Sequence, residues 1–332
     1  MTLIAEVNQT RYTPGQAAGH YESFFQRGNH PTRPLAFWIR YTIFSPKSRP
    51  QEAVGELWAI FFDGERRRHA AVKQVWPLAA CRFARDAFAV RVGEATLGID
   101  GLRGRCAGIS HEIAWDLRYE GDQPPLFLLP RNLYAGGFPK AKSLVGLPLA
   151  RFNGHLTVDG ETVSVADWIG SQNHNWGSQH TDRYAWGQVA GFDNAPESFL
   201  EVATARLKFG PVWSPAFTPL VLRHKEKEYA LTALWQSVRA RGAFDYFRWS
   251  FASETSQVRI AGTISAPREA FVGLRYGNPP GGSKQCLNSK IAACSLTLRH
   301  KAGGEQETLT THHRAAFEIL TDDTTHGIAI QV

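Results

Sequence analysis

What most constrains this chain is how often it alternates. Strand-like runs follow one another through the first half: LAFWIRYTIF (35–44), VGELWAIFFD (54–63), RFARDAFAVRVGEATLGI (82–99) and RCAGISHEIAWDLRYE (105–120). In the last, Ile109, His111, Ile113, Trp115 and Leu117 fall on one face while Ser110, Glu112, Asp116 and Arg118 fall on the other. A period of two is the mark of a half-buried antiparallel strand. Pro and Gly break the rhythm in LFLLPRNLYAGGFPK, and AKSLVGLPLARFNGHLTVDGETVSVAD resumes it around a VDGET hairpin turn. Beyond residue 183 the pattern starts again, from YAWGQVAGF to ETLTTHHRAAFEIL, with no short repeat of the propeller or solenoid kind. Two successive antiparallel β units fit this length, and closing each into a barrel would remove the strand edges that so many strands otherwise expose. The units divide as 1–183 and 184–332, inside the stretch SQNHNWGSQHTDRYAWGQ (171–188). A seam between domains is a common place for a ligand pocket.

Composition narrows the class. With 30 Gly, 18 Pro, 20 Phe, 10 Trp and 9 Tyr beside a single Met, the chain favours sheets joined by turns over helices. Hydrophobic residues make up 43% and charged residues 20%, enough apolar surface to offset the entropy of ordering. The net charge of +7 comes mostly from Lys and Arg scattered singly along alternating runs, so nucleic acid is not an expected partner. The compact basic cluster, Arg66 to Arg68 in GERRRH, reads as a solvated loop after a hairpin turn. Cys81, Cys106, Cys286 and Cys294 form no CxxC pair and read as reduced, mostly buried thiols. The first residues carry no signal-like apolar run, and no segment reaches the roughly 18 apolar residues that span a bilayer. The expectation is a cytoplasmic protein, with peripheral membrane contact left open.

Several chemistries lack their motifs. GxSxG, the Walker loop and GxGxxG are all missing, and the Gly-rich GNPPGGSKQCLNS (277–289) has no Lys-Ser or Lys-Thr pair in the required place. His174, His180 and Asp182 supply nitrogen and oxygen within nine residues but match no zinc signature, so no metal is expected. In NHNW a strand would set His174 and Trp176 on one side, where they either orient a substrate or serve as a hydrogen-bonded core pair. Tyr184 and Trp186 likewise share a face and extend the aromatic lining. An aromatic pocket with histidines and carboxylates suits apolar ligand binding, or proton-initiated chemistry on an alkene in which a neutral carboxylic acid is the donor.

GHYESFFQRGNHPTRPLAFWIRYTIFSP (19–46), GELWAIFFDGE (55–65), NHNWG (173–177) and YGNPPGGSKQCLNSKIA (276–292) resemble the AttH-like and hydroxyneurosporene synthase (carotenoid 1,2-hydratase) group, whose relatives include tocopherol cyclase. The resemblance implies an all-β protein of two tandem lipocalin-like (calycin) antiparallel β-barrels, with a cavity near their junction and no metal or organic cofactor. In the hydratase branch a His-x-Trp pair and a downstream strand carboxylate are associated with protonation of an isoprenoid double bond and capture of water. The first part carries over to His174 and Trp176. The second falls on Phe199-Leu200-Glu201, where the hydratase pattern has Tyr-x-Asp. Glu201 facing an aromatic cavity would have a raised pKa, as an acid catalyst requires. The expected site is therefore His174, Glu201 and Asp182 for catalysis, with Trp176, Tyr184, Trp186 and Phe199 against the substrate. Glu22 and Glu56 stand as alternate carboxylates. The expected activity is a cofactor-independent hydratase, cyclase or isomerase acting on a hydrophobic isoprenoid or polyene. The alternative is a non-catalytic carrier of a small hydrophobic ligand.

Overall fold

Alternation this dense must be paired, and in the computed structural model, which describes residues 3–332, it is paired into two large antiparallel sheets and a small two-stranded one. The first sheet is 12-stranded and draws its strands from His20 to Gly177; the second is 10-stranded and runs from Arg183 to Thr321. The first curls into a near-barrel and the second into a half-barrel, a tandem lipocalin-like arrangement. In the first, strands Val54–Asp63, Leu35–Ser45, His20–Asn29, Glu161–Gly177 and Ala141–Val158 lie side by side. In the second, Ala195–Arg206, Arg183–Phe192, Gln306–Thr321 and Ser283–His300 do the same. The VDGET turn joins two of the long strands, with Asp159 and Gly160 both at positive φ (50° and 86°), as a two-residue type I′ hairpin demands.

Each barrel has its own filling. Phe24, Phe37, Tyr41, Trp115, Phe152 and Trp168 occupy the first. Trp249, Ile264 and Phe317 belong to the second, where Gly187 leaves room because a Cβ would collide with Ile264 and Trp249. The strands of the seam are not half-buried as their alternation predicts. Every residue of His20–Asn29 is buried, and nearly every one of Leu35–Ser45, because the outer face of the first sheet packs on the second. Trp38 and Trp58, on that outer face, join the same apolar cluster as Trp186 and Phe317 of the second sheet.

Two local readings need correction. The run 82–99 is not one strand; it is cut into Cys81–Phe83, Val90–Val92 and Ala95–Leu97 by turns, one of them at Gly93 with φ +56°. Ile109 and His111 precede the strand Glu112–Glu120 instead of sharing its face, and Ile109 is fully exposed. Ile113, Trp115 and Leu117 do point inward. Among the described residues no helix is long and apolar enough to cross a membrane.

Candidate functional site

The register of the 161–177 strand decides which residues can meet. Its partners across the ladder place Glu22 opposite Trp176 and Phe24 opposite His174, and place Phe25 opposite Asn173 and Arg27 opposite Ser171. Opposed residues share a face, and neighbours along a strand take opposite ones. His174 and Trp176 therefore look one way, while Ser171, Asn173, Phe25 and Arg27 look the other, towards the second sheet. The second sheet answers with Gln188 opposite Glu201 and with Trp186 between Ala203 and Glu318.

His174 lies on the side away from the seam. Its Nδ1 is 2.8 Å from the Val7 carbonyl and its Nε2 is 2.8 Å from Glu22 Oε1, so the ring bridges the two. The ring stacks on Phe24 with centroids 4.2 Å apart, and Trp176 sits 4.7 Å away in a pocket with Val7, Leu144 and Tyr134. Glu22 is completely buried; it accepts hydrogen bonds from the backbone N–H groups of Arg11 and Tyr12 and pairs with His20 at 3.0 Å. Burial alone would raise its pKa, but the bonds from His174 and His20 outweigh that and hold it at about 2. This constellation ties the segment before the first strand to the barrel wall.

Glu201 lies on the seam face, and its surroundings are of another kind. Trp186 Nε1 donates to Oε1 at 2.7 Å and Gln188 Nε2 donates to Oε2 at 2.8 Å. Gln188 is itself oriented, since its Oε1 accepts from Arg27 Nε and from Ser171 Oγ, each at 2.6 Å, and its Nε2 also donates to Asn173 at 2.9 Å. Burial raises the Glu201 pKa to about 7, against the two hydrogen bonds and the charge of Arg27, and with Glu318 adding to the rise. The same burial lowers Arg27 to about 9. A carboxyl in this setting holds its proton near neutrality.

Glu201, Trp186 and Asn173 border a cavity of about 270 Å³ between the two sheets. That is near the lower limit of small-molecule pockets, which run from roughly 300 to 1,000 Å³. Phe25, Trp38, Tyr184, Trp186 and Tyr276 supply aromatic wall; Arg40, Glu201 and Glu318 supply charge. Glu318 is paired with the buried Lys290 at 2.7 Å. His180 also lines it, stacked 3.9 Å from Tyr21, with its pKa lowered to about 3 by burial and by Arg40, so its ring is neutral.

The residues expected from sequence are thus divided. Glu201, Tyr184 and Trp186 share the cavity. The strand of His174 runs along the cavity wall, but its ring and that of Trp176 are turned into the first barrel, with the strand backbone between His174 and Glu201. Phe199 is fully buried in an adjoining apolar cluster with Leu126, Val145 and Ile169. Asp182 stands at the mouth, where its carboxylate accepts from the Lys208 backbone N–H at 2.8 Å. Glu56 is engaged by Lys73 at 2.8 Å. His174 and His180 belong to different faces, and among the described residues no cluster of three or more His, Cys, Asp or Glu could hold a metal ion. Sequence reasoning missed Arg27, Arg40, Gln188, Lys290 and Glu318. Their signal was present as lone charged or amide residues inside apolar runs such as ESFFQR and LAFWIR.

This geometry defines a two-barrel β protein with an internal, acid-bearing aromatic cavity at the seam. No family profile matches the chain. Its fold is that of the AttH-like proteins: it superposes on a protein assigned as an AttH from Nitrosomonas europaea with a TM-score of 0.56, over 94% of this chain and 98% of the other, at 12% identity. Kievitone hydratase from Nectria haematococca gives 0.55 over 93% and 91% at 12% identity, and CghA gives 0.54 over 94% and 93% at 10% identity. In sequence the chain is similar to the uncharacterized Mycobacterium tuberculosis protein Rv0493c, 24% identical over 286 residues, or 85% of this chain and 82% of that one. At these identities the solved structures speak for the fold alone.

Proposed function

We propose that this chain is a cofactor-independent hydratase, cyclase or isomerase that acts on a hydrophobic isoprenoid or polyene held in the seam cavity. The observation that carries the reading is Glu201: a buried carboxyl, raised to about 7, facing an aromatic cavity. The fold shared with a hydratase supports it. In the hydration form, the Glu201 carboxyl gives its proton to one alkene carbon and water adds to the other. The proton lost by that water returns to the Glu201 carboxylate, so the net change is addition of one water. Trp186 and Gln188 hold both carboxyl oxygens and so fix where the proton points. His174 takes no part in the transfer; it anchors the strand whose preceding residue, Asn173, orients Gln188.

The test is turnover in heavy water on a panel of isoprenoid and polyene substrates, comparing wild type with Glu201→Gln. The variant should lose about 100- to 10,000-fold in rate. The wild-type rate should fall as pH rises through about 7, where the acid loses its proton. A folded Glu201→Gln protein that turns over a proven substrate at the wild-type rate would refute the role. A ligand recovered unchanged and free of deuterium would instead mark a hydrophobic-ligand carrier.

A further inference from the structure

Hydrogen-bond donors are left over in the cavity wall. Arg40 is only 4% exposed, yet of its guanidinium only Nε is used, donating to Ser23 Oγ at 2.9 Å and Thr42 Oγ1 at 3.0 Å. Its two terminal nitrogens make no hydrogen bond or ion pair among the described residues. Trp38 Nε1 is also buried without a hydrogen-bond partner, and the Tyr276 hydroxyl has only the weak acceptor Cys286 Sγ beside it. The three belong to one neighbourhood: the Arg40 guanidinium carbon is 4.4 Å from the Tyr276 ring centre and 5.8 Å from that of Trp38. All three residues line the cavity. Buried donors are almost always satisfied, so such a cluster calls for an acceptor that the protein itself does not provide.

The neighbouring cations are already committed. Arg27 is taken up by Gln188, Asn29 and the Arg314 carbonyl, and Lys290 by Asn288 and Glu318. Among the buried cations that line the cavity, Lys142 gives one hydrogen bond, to the Pro139 carbonyl at 2.8 Å, and Arg40 gives none from its terminal nitrogens among the described residues. The cavity lining sets Arg40, Lys140, Lys142 and Lys208 against Asp182, Glu201 and Glu318, and Glu201 keeps its proton for much of the time near neutral pH. The cavity is thus electropositive. A bare hydrocarbon would leave the free Arg40 donors without an acceptor, whereas an oxygen that carries negative charge would satisfy them.

We infer that Arg40, with Trp38 Nε1 and the Tyr276 hydroxyl beside it, forms a subsite for an acidic oxygen of the substrate, a carboxylate, enolate or phenolate, so that the substrate is an oxygenated amphiphile and not a hydrocarbon polyene. This deepens the proposed function and rests on its reading of the seam cavity as the substrate site. The oxygen docks at Arg40 and the carbon skeleton lies along Phe25 and Trp186, which places unsaturated carbons within the same cavity as Glu201.

The subsite can be tested without knowing the substrate or observing turnover. Naphthalene-2-carboxylate and naphthalene-2-methanol differ in the charged oxygen group and share the apolar body. By titration calorimetry at low salt, the wild type should bind the carboxylate about 10- to 100-fold more tightly than the alcohol, the worth of a charge-assisted hydrogen bond. Arg40→Met should remove that preference and leave alcohol binding in place. Equal affinity for the two probes, no binding of either, or a preference that survives Arg40→Met overturns the subsite. If Arg40→Met does not fold, Tyr276→Phe, which deletes only the hydroxyl, should narrow the preference several-fold, and an unchanged preference there overturns it equally. Because the readout is binding, an inactive chain or a Glu201 with no catalytic role would leave the subsite standing, which separates its failure from that of the proposed function.

Discussion

Glu201 should make folding stability depend on pH in a direction opposite to that of most paired carboxylates. Its pKa is raised from an ordinary 4.5 to about 7 in the folded protein, a difference worth about 3 kcal/mol. Below the ordinary value both folded and unfolded chains hold the proton, and nothing is lost. As pH climbs from there to about 7, the unfolded chain releases its proton while the folded one keeps it, so the folded state loses stability; above that the loss levels off. Glu201→Gln cannot titrate. It carries a pH-independent cost, because a carboxamide has one oxygen to offer and two N–H groups, from Trp186 and Gln188, now compete for it. Leaving one unsatisfied costs about 1–3 kcal/mol. The variant should therefore be less stable than wild type near pH 4.5, and should gain on it by about 3 kcal/mol by roughly pH 8. Urea denaturation of both proteins across this range measures the difference, in which every other titrating group cancels. Parallel stability curves would refute the reasoning, because they would mean that the Glu201 carboxyl ionises in the folded chain as easily as in the unfolded one.

The first barrel should respond in the opposite sense. Glu22, held at about 2, contributes stability that is present above pH 4.5 and lost as pH falls towards 2, about 3 kcal/mol in all; Glu22→Gln should flatten the acid limb of the stability curve, and an unchanged limb would count against the pairing. His174→Ala should cost about 3–5 kcal/mol at neutral pH by leaving Glu22 short of its partner, while the pH dependence assigned to Glu201 stays put. Lys290→Met should be similarly damaging, about 3–5 kcal/mol, since it strands Glu318. Adding Glu318→Gln to it should restore most of the loss, and strictly additive losses in denaturant melts would argue that the two do not act as a pair.

Much of the architecture was legible because a strand writes its geometry into every second residue. Ile113, Trp115 and Leu117 point inward as their spacing requires, and the Asp159-Gly160 turn lies where its residues place it. Glu201, Tyr184 and Trp186 were found through the resemblance and through shared-face reasoning, and they do border one cavity. The cations and amides of the site were not found. An Arg inside LAFWIRYTIF reads as the solvent side of an alternating strand, and nothing in the run itself announces that a second sheet covers that side.

His174 shows where such reading stops. The sequence by itself determined that the chain pairs into antiparallel sheets, that the pattern restarts near residue 183, and that His174 and Trp176 share a face, since all three follow from the two-residue repeat of an extended backbone. Which way that face looks is a different quantity. With apolar partners on both sides of the seam strands, either orientation would bury them. Only the register against His20–Asn29 and the packing of one sheet on the other turned the His174 ring into the first barrel, and left Arg40, Trp186 and Glu201 to make the cavity.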